Sequence, residues 1–239
     1  MESKNTVSAF ILGALLCAGL VVLGYFLSTG LLTMKSLERT VTVKGLSERD
    51  VAADIAIWPI KFSEAGNDVN QLFSTIQSKN LLVVGFLKES GFTETEVSVS
   101  VPTVIDRQAQ GFTDAANLPF RYSAASTITV YTGNVLLVRK TMINVVELGK
   151  RGIAITGKDF DTRPEFLFSK LNDIKPAMIE EATKNAREVA EKFAKDSNST
   201  LGKIKTASQG QFTITDRDSS TPYMKRVRVV STVEYYLSD

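Results

Sequence analysis

The sequence predicts a mixed body of strands and helices behind one N-terminal transmembrane helix, and three observations predict it. Asn5–Met34 is a run of thirty residues without a charge, most of them apolar. Beyond it, stretches such as Thr40–Ser47 (TVTVKGLS) alternate apolar and polar residues with the period of a strand. Between those stretches, apolar residues recur three and four positions apart, the period of a helix, and the strand–helix–strand order occurs twice.

The apolar run comes first. Its core, Val7–Leu32, reads VSAFILGALLCAGLVVLGYFLSTGLL. As a helix it spans on the order of 39 Å, more than the roughly 30 Å of a bilayer's hydrocarbon. Residues 7–32 therefore have the lipid bilayer as their partner. A cleaved signal peptide is the competing reading, with Ser28-Thr29-Gly30 as small residues near a cut. Its apolar core is usually about 7–15 residues, and this run is nearly twice that. Lipid modification of Cys17 would need a small residue before it, where Leu16 stands. A retained anchor is favoured, dividing the chain into residues 1–34 (tail and anchor) and 35–239 (body). Lys35, Arg39, Lys44 and Arg49 follow the run and only Lys4 precedes it, so the positive-inside rule alone puts the body in the cytoplasm. That rule weakens for long domains, and charge leaves the orientation open. Within the anchor, Ala9, Gly13 and Cys17 recur every four residues with Ala14 and Ala18 beside them, a small-residue ridge suited to self-association.

Composition narrows the chemistry. The chain has 28 Lys and Arg against 26 Asp and Glu, a net charge of +2, and no dense basic run, which disfavours nucleic acid as a partner. Histidine is absent and Cys17 is the single cysteine. Ser-His-Asp and Cys-His catalysis, His-containing zinc sites and disulfides in the body are excluded. Carboxylate, Lys or Tyr chemistry is what remains. Its nearest candidates are the pairs Asp159 with Asp161 and Asp216 with Asp218, which sit among Gly, Thr, Ser and Arg and read as solvated turn residues. No catalytic, cofactor-binding or metal-binding residue is assigned, and no cofactor is expected.

The elements follow in order. Val41 and Val43 share one face of the Thr40–Ser47 strand. Val51–Ser63 reads as one long strand or two, with Trp58, Ile60 and Phe62 opposite Ile55 and Ile57. Asn67 or Asp68 caps a helix to about Ser90, stopped by Gly91. Glu96–Ile105 returns as a strand with Val97, Val99 and Val101 inward. The polar stretch Asp106–Pro119 is a loop long enough to carry function. Phe120–Tyr131 is the next strand, Gly133-Asn134 opens a helix to about Lys150, and Ile153–Ile155 and Glu165–Leu171 are strand pieces. A helix over about Ile174–Asp196 has Pro176 in its first turn. Ala182, Ala186, Val189, Ala190, Phe193 and Ala194 make its apolar stripe, for core packing or for a subunit contact. Lys203–Thr215 and Arg226–Leu237 close the chain. The last strand has Val227, Val229, Val233, Tyr235 and Leu237 on one side and Arg228, Thr232, Glu234 and Tyr236 on the other.

This succession resembles the SIMPL-domain family, which includes bacterial periplasmic oxidative-stress-defence proteins and brucella periplasmic immunogen-like proteins. The residues that carry the resemblance are the opening VTVKG, the unit ending LKESGF, the unit with YSAASTITV, the helix EEATKNAREVAEKFAKDSNSTLGKI and the closing strand, over roughly 38–237. The most specific piece is Ala182–Gly202, with its spaced alanines, Arg187, Glu191 and terminal Leu201-Gly202. Where many members carry a Gly-Glu-Gly-Glu-like run, this chain has Gly45-Leu46-Ser47-Glu48.

The resemblance implies an α+β fold of mainly antiparallel sheet packed on helices. It implies a membrane-anchored subgroup held at the bacterial inner membrane by a single pass, with the large domain in the periplasm. It also implies a ring- or channel-like homo-oligomer with a structural, stress-protective role in the envelope, and no catalytic residues. Val229, Val233, Tyr235 and Tyr236 on the closing strand are the candidate subunit contacts. A binding module for a peptide, glycan or lipid stays open beside this, with the Asp106–Pro119 loop, Tyr122, Tyr223 and Tyr236 as its candidates. A carboxylate enzyme is the third class.

Overall fold

The computed structural model of the chain describes residues 2–36, 39–110, 119–156 and 162–238. Helix α1 (Glu2–Ser36) contains 22 residues, Phe10–Leu31, long and apolar enough to cross a membrane, and none of that window is buried by protein. Phe10, Leu15 and Phe26 are each more than two-thirds exposed, which lipid tolerates and water does not. The Thr29 hydroxyl donates to the Tyr25 carbonyl at 2.8 Å, so this polar group is satisfied inside the helix, as an apolar medium requires.

After α1 come β1 (Thr40–Ala52), β2 (Ile55–Gly66), α2 (Val69–Glu89), β3 (Val97–Val99), β4 (Thr103–Asp106) and β5 (Tyr122–Thr132). Then follow α3 (Val135–Asn144), α4 (Val146–Lys150), β6 (Glu165–Leu167), α5 (Leu171–Asp196), β7 (Thr200–Gln209), β8 (Thr213–Asp216) and β9 (Met224–Ser238). The fold is α+β. One sheet has the order β1-β9-β7 with β8 on β9, and the other β3-β5-β2-β6 with β4 on β5. In the second sheet β2 pairs antiparallel with β5 and β6, and β3 and β4 pair antiparallel with β5; in the first sheet β7 pairs antiparallel with β9. The chain divides into two compact units.

The first unit comprises residues up to Glu48, Ile174–Thr213 and the chain from Arg228 onward. Its core is the contact of α5 with the inner face of β1 and β9. Met178, Ala182, Ala186, Ala190 and Ala194 recur every four residues and are all buried, a row of small side chains that lets the helix axis come close to the strands. Val43, Val233 and Tyr235 pack against Ala186 and Ala190. Gly45 sits beneath them: a Cβ there would lie 1.8 Å from the Ala182 carbonyl oxygen and 2.4 Å from the Ala186 nitrogen. The alanine stripe is therefore core. Val189 and Phe193, read from sequence as part of it, are exposed, because the row the sheet covers has a strict four-residue step and both fall beside it. Pro176 lies inside α5 rather than in its first turn, since the helix begins at Leu171.

The second unit comprises Arg49–Asp173 and Ile214–Val227. Strands β2 and β5 form its spine, paired from Ala56 with Thr132 to Gly66 with Tyr122. Ala56, Trp58, Ile60 and Phe62 alternate onto the buried face, as the period-2 pattern dictates, and meet Leu72, Ile76, Val83 and Leu87 of α2. Asp68 caps α2, its carboxylate accepting from the amides of Asn70 at 2.8 Å and Gln71 at 3.0 Å, a contribution of about 1 kcal/mol. Gly91, at φ +105°, turns the chain out of the helix. Asn134 caps α3 in the same way, accepting from Leu137 at 3.0 Å.

The expected strand Glu96–Ile105 is broken. A single 3-10 turn over Glu94–Glu96 precedes β3, and β3 and β4 are separate three- and four-residue strands on β5. Pro102, which has no amide proton to give, stands in the gap. Of the residues expected inward, Val97 is half-buried, Val99 is 47% exposed and Val101 is 89% exposed. They lie at the edge of the sheet, where one face of a short strand stays wet.

Candidate functional site

The sequence candidates on α1 are Ala9, Gly13, Ala14, Cys17 and Ala18. Gly13 has open space where a Cβ would stand, and Ala14, Cys17 and Ala18 are exposed, so the outward surface of α1 presents small residues. The Ala9 side chain lies outside the described residues. On β9, Val229, Val233 and Tyr235 are interior residues of their own chain, each at most 3% exposed. This corrects their reading as subunit contacts: β9 is the middle strand of its sheet and α5 covers that face. Tyr236 points to the opposite face, half-buried, with Lys205 Nζ 5.9 Å from its ring centroid.

The loop reading concerns the second unit. Asp106 and Arg121 clasp the two ends of the polar stretch, Arg121 Nη2 donating to Oδ2 at 2.8 Å and Nε to the same oxygen at 3.1 Å. This pairing holds the Asp106 carboxyl below the usual carboxylate range. The Arg121 guanidinium also lies 4.9 Å from the Tyr122 ring centroid, so Tyr122 belongs to the clasp. Residues 111–118, the middle of the loop, lie outside the described residues.

The acidic pairs divide likewise. Asp159 and Asp161 lie outside the described residues. Asp216 pairs with Lys225, whose side chain is largely buried. Asp218 organises the turn between β8 and β9: it accepts from the amides of Ser220 at 2.9 Å and Thr221 at 2.7 Å, from the Thr221 hydroxyl, and from Arg217 Nε at 3.0 Å. The Thr221 hydroxyl first, and Arg217 after it, bring its carboxyl down to about 2. A carboxylate so engaged is a structural acceptor. Among the described residues no cluster of three or more acidic or Cys side chains is placed to hold a metal ion.

That turn serves a concavity which the sequence did not reveal. Ser220, Pro222 and Tyr223 form one wall of a groove of about 630 Å³, and α3 forms the other with Leu136, Arg139, Lys140, Met142 and Ile143; Phe166 of β6 lies at its base. The Arg139 guanidinium carbon stands 3.5 Å over the centroid of the Tyr223 ring, and Phe166 meets that ring edge to face at 6.2 Å. Leu136 and Ile143 are 72% and 77% exposed at its rim. Tyr223 was a sequence candidate; the other lining residues were not. The signal that could have found them is the spacing 136, 139, 140 and 143, one outward helical face on which two cations interrupt two aliphatic residues, while Val138 and Thr141 serve the core.

No curated protein matches the chain. The family model for SIMPL, described as a protein of unknown function (DUF541), matches residues 41–235. The match takes in β1, both strand–helix stretches, the alanine row of α5 and β9 to Tyr235, and on that footing the chain belongs to the SIMPL family.

Proposed function

We propose that this SIMPL protein is a single-pass protein of the bacterial inner membrane whose large domain stands in the periplasm and assembles into a ring- or channel-like homo-oligomer with a structural, stress-protective role in the envelope. The observation that carries the reading is β7. It ends the β1-β9-β7 sheet, it is exposed along nearly its whole length, and Ile204 on it is 49% exposed. After two irregularities, its last stretch pairs regularly with β9, from Thr206 with Glu234 to Gln209 with Ser231. A regular edge of this kind is a template for a strand from another copy. Lys205, which would guard such an edge, is held by Glu234 at 3.1 Å. The small-residue surface of α1 adds a second contact within the bilayer, and several anchors on one assembly detach far more slowly than one.

The single cysteine of the chain makes the test direct. In a Cys17→Ser background, Ser208→Cys on β7 together with Thr42→Cys on β1, the other end of the same sheet, is expected to yield a ladder of disulfide-linked oligomers in membranes under mild oxidation, while Val101→Cys together with Thr42→Cys yields none. Equal cross-linking by both pairs, or by neither, counts against assembly through β7.

A further inference from the structure

We propose that the groove between α3 and the β8–β9 turn is a binding site for a small amphipathic anion, a carboxylate or phosphate head on an apolar body. The inference stands apart from assembly, because the described lining residues all belong to the second unit. Three features carry it. Among the described residues the lining holds two cations, Arg139 and Lys140, and no carboxylate. Neither cation has a hydrogen-bond or ion-pair partner among the described residues, although most other cations near an acid are paired: Lys225 with Asp216, Lys150 with Glu147, Arg151 with Glu89. Two positive charges that no described acid neutralises therefore meet at one concave surface.

The second feature is orientation. With its central carbon 3.5 Å over the Tyr223 ring, the Arg139 guanidinium has one side against the aromatic ring, and its N–H donors, which lie in the guanidinium plane, serve the paired oxygens of a carboxylate or phosphate. Tyr223 is fixed in turn by Phe166 and by the turn that Asp218 organises, so the donor fork is ordered before a ligand arrives and little conformational entropy is lost on binding. The third feature is the apolar remainder: Leu136, Met142, Ile143 and Pro222 have no polar side-chain atom to satisfy an all-polar ligand. A volume of about 630 Å³ falls within the range of small-molecule sites and is too small for a folded partner.

The test uses the full chain in lipid nanodiscs with carbon-13 methyl-labelled methionine. Met142 lines the groove and reports occupancy, whereas Met178, buried under α5, reports an intact fold. Hexanoate and hexyl phosphate are titrated against 1-hexanol and inorganic phosphate, with empty nanodiscs correcting for partition into lipid. Saturable movement of the Met142 signal is expected with one or both amphipathic anions; which of the two is tighter separates a carboxylate ligand from a phosphate one. The paired change Arg139→Gln with Lys140→Gln should weaken that binding at least tenfold while Met178 stays in place, and Ile143→Asn, which adds no charge, should weaken it with both cations present. Equal affinity for 1-hexanol, an unmoved Met142 signal, or full binding by the Arg139→Gln, Lys140→Gln protein would each overturn the proposal. Binding of inorganic phosphate as tight as that of hexyl phosphate would overturn the amphipathic part of it.

Discussion

Gly45 of β1 lies so close beneath Ala182 of α5 that any side chain at Gly45 would collide with the helix backbone, a Cβ falling 1.8 Å from the Ala182 carbonyl oxygen. Backbone cannot swing aside as a flexible side chain can. The helix and the strand are thus matched through two small residues, glycine below and alanine above, and each protects the fit of the other.

The first prediction follows from that fit. Gly45→Ala should destabilise the protein by about 3 kcal/mol or more, and Ala182→Leu by a similar amount, since either change lifts α5 from the sheet. Denaturant midpoints of the two variants, read beside Leu46→Ala on the opposite face of the strand, give the comparison. A Gly45→Ala protein as stable as the wild type would contradict the close approach.

Val99 and Val101 supply the second prediction. Val101→Ser should change stability by no more than about 0.5 kcal/mol, because the side chain is already in water. Ile128→Ala, fully buried on the neighbouring strand β5, should cost about 2–5 kcal/mol. Similar losses from the two would restore the inward reading of that strand.

Asp218 gives a pH dependence with a definite sign. Its carboxyl titrates near 2 in the fold against an ordinary 3.8, so its contribution is complete above about 3.8 and is lost as pH falls toward 2. Asp218→Asn should be less stable than the wild type at pH 7, and thermal melts should show the gap closing between pH 4 and pH 2. A gap that is constant over this window would mean that the carboxylate charge does not hold the turn.

Much of this architecture was legible in the sequence. The charge-free run from Asn5 to Met34 is too long for a soluble helix to hide, and the alternation through Trp58, Ile60 and Phe62 can only be a half-buried strand. Asp68, Gly91 and Asn134 mark helix ends by local chemistry that needs no tertiary context. The broken strand was harder to see: Val97, Val99 and Val101 alternate faithfully, but alternation does not say whether a strand lies at the centre or the edge of a sheet. The exposure of Val189 and Phe193 was equally hidden, because which side of α5 meets the sheet is decided by Gly45, far away in the chain. The groove was least legible. It joins Arg139, Phe166 and Tyr223 from three separate stretches, and only the turn built on Asp218 brings Tyr223 under the guanidinium.

The position of the body relative to the membrane has its own test. A cysteine at the exposed Ser98, again in the Cys17→Ser background, should react with a membrane-impermeant maleimide in intact spheroplasts. Labelling that requires lysis would place the body in the cytoplasm, as the basic residues after α1 would have it. A mature N-terminus near Leu31 would mean that the anchor is cut away.

The central claim is that a membrane-anchored SIMPL chain assembles with copies of itself, and the mass of the full-length protein in nanodiscs or mild detergent tests it most directly. A single species at a defined multiple of the 26.1 kDa chain is predicted, reduced in size by Gly13→Leu and reduced further by lysines placed at Ser208 and Ala207 on β7. A monodisperse monomer for the unaltered protein, stable over a range of concentrations, would contradict it.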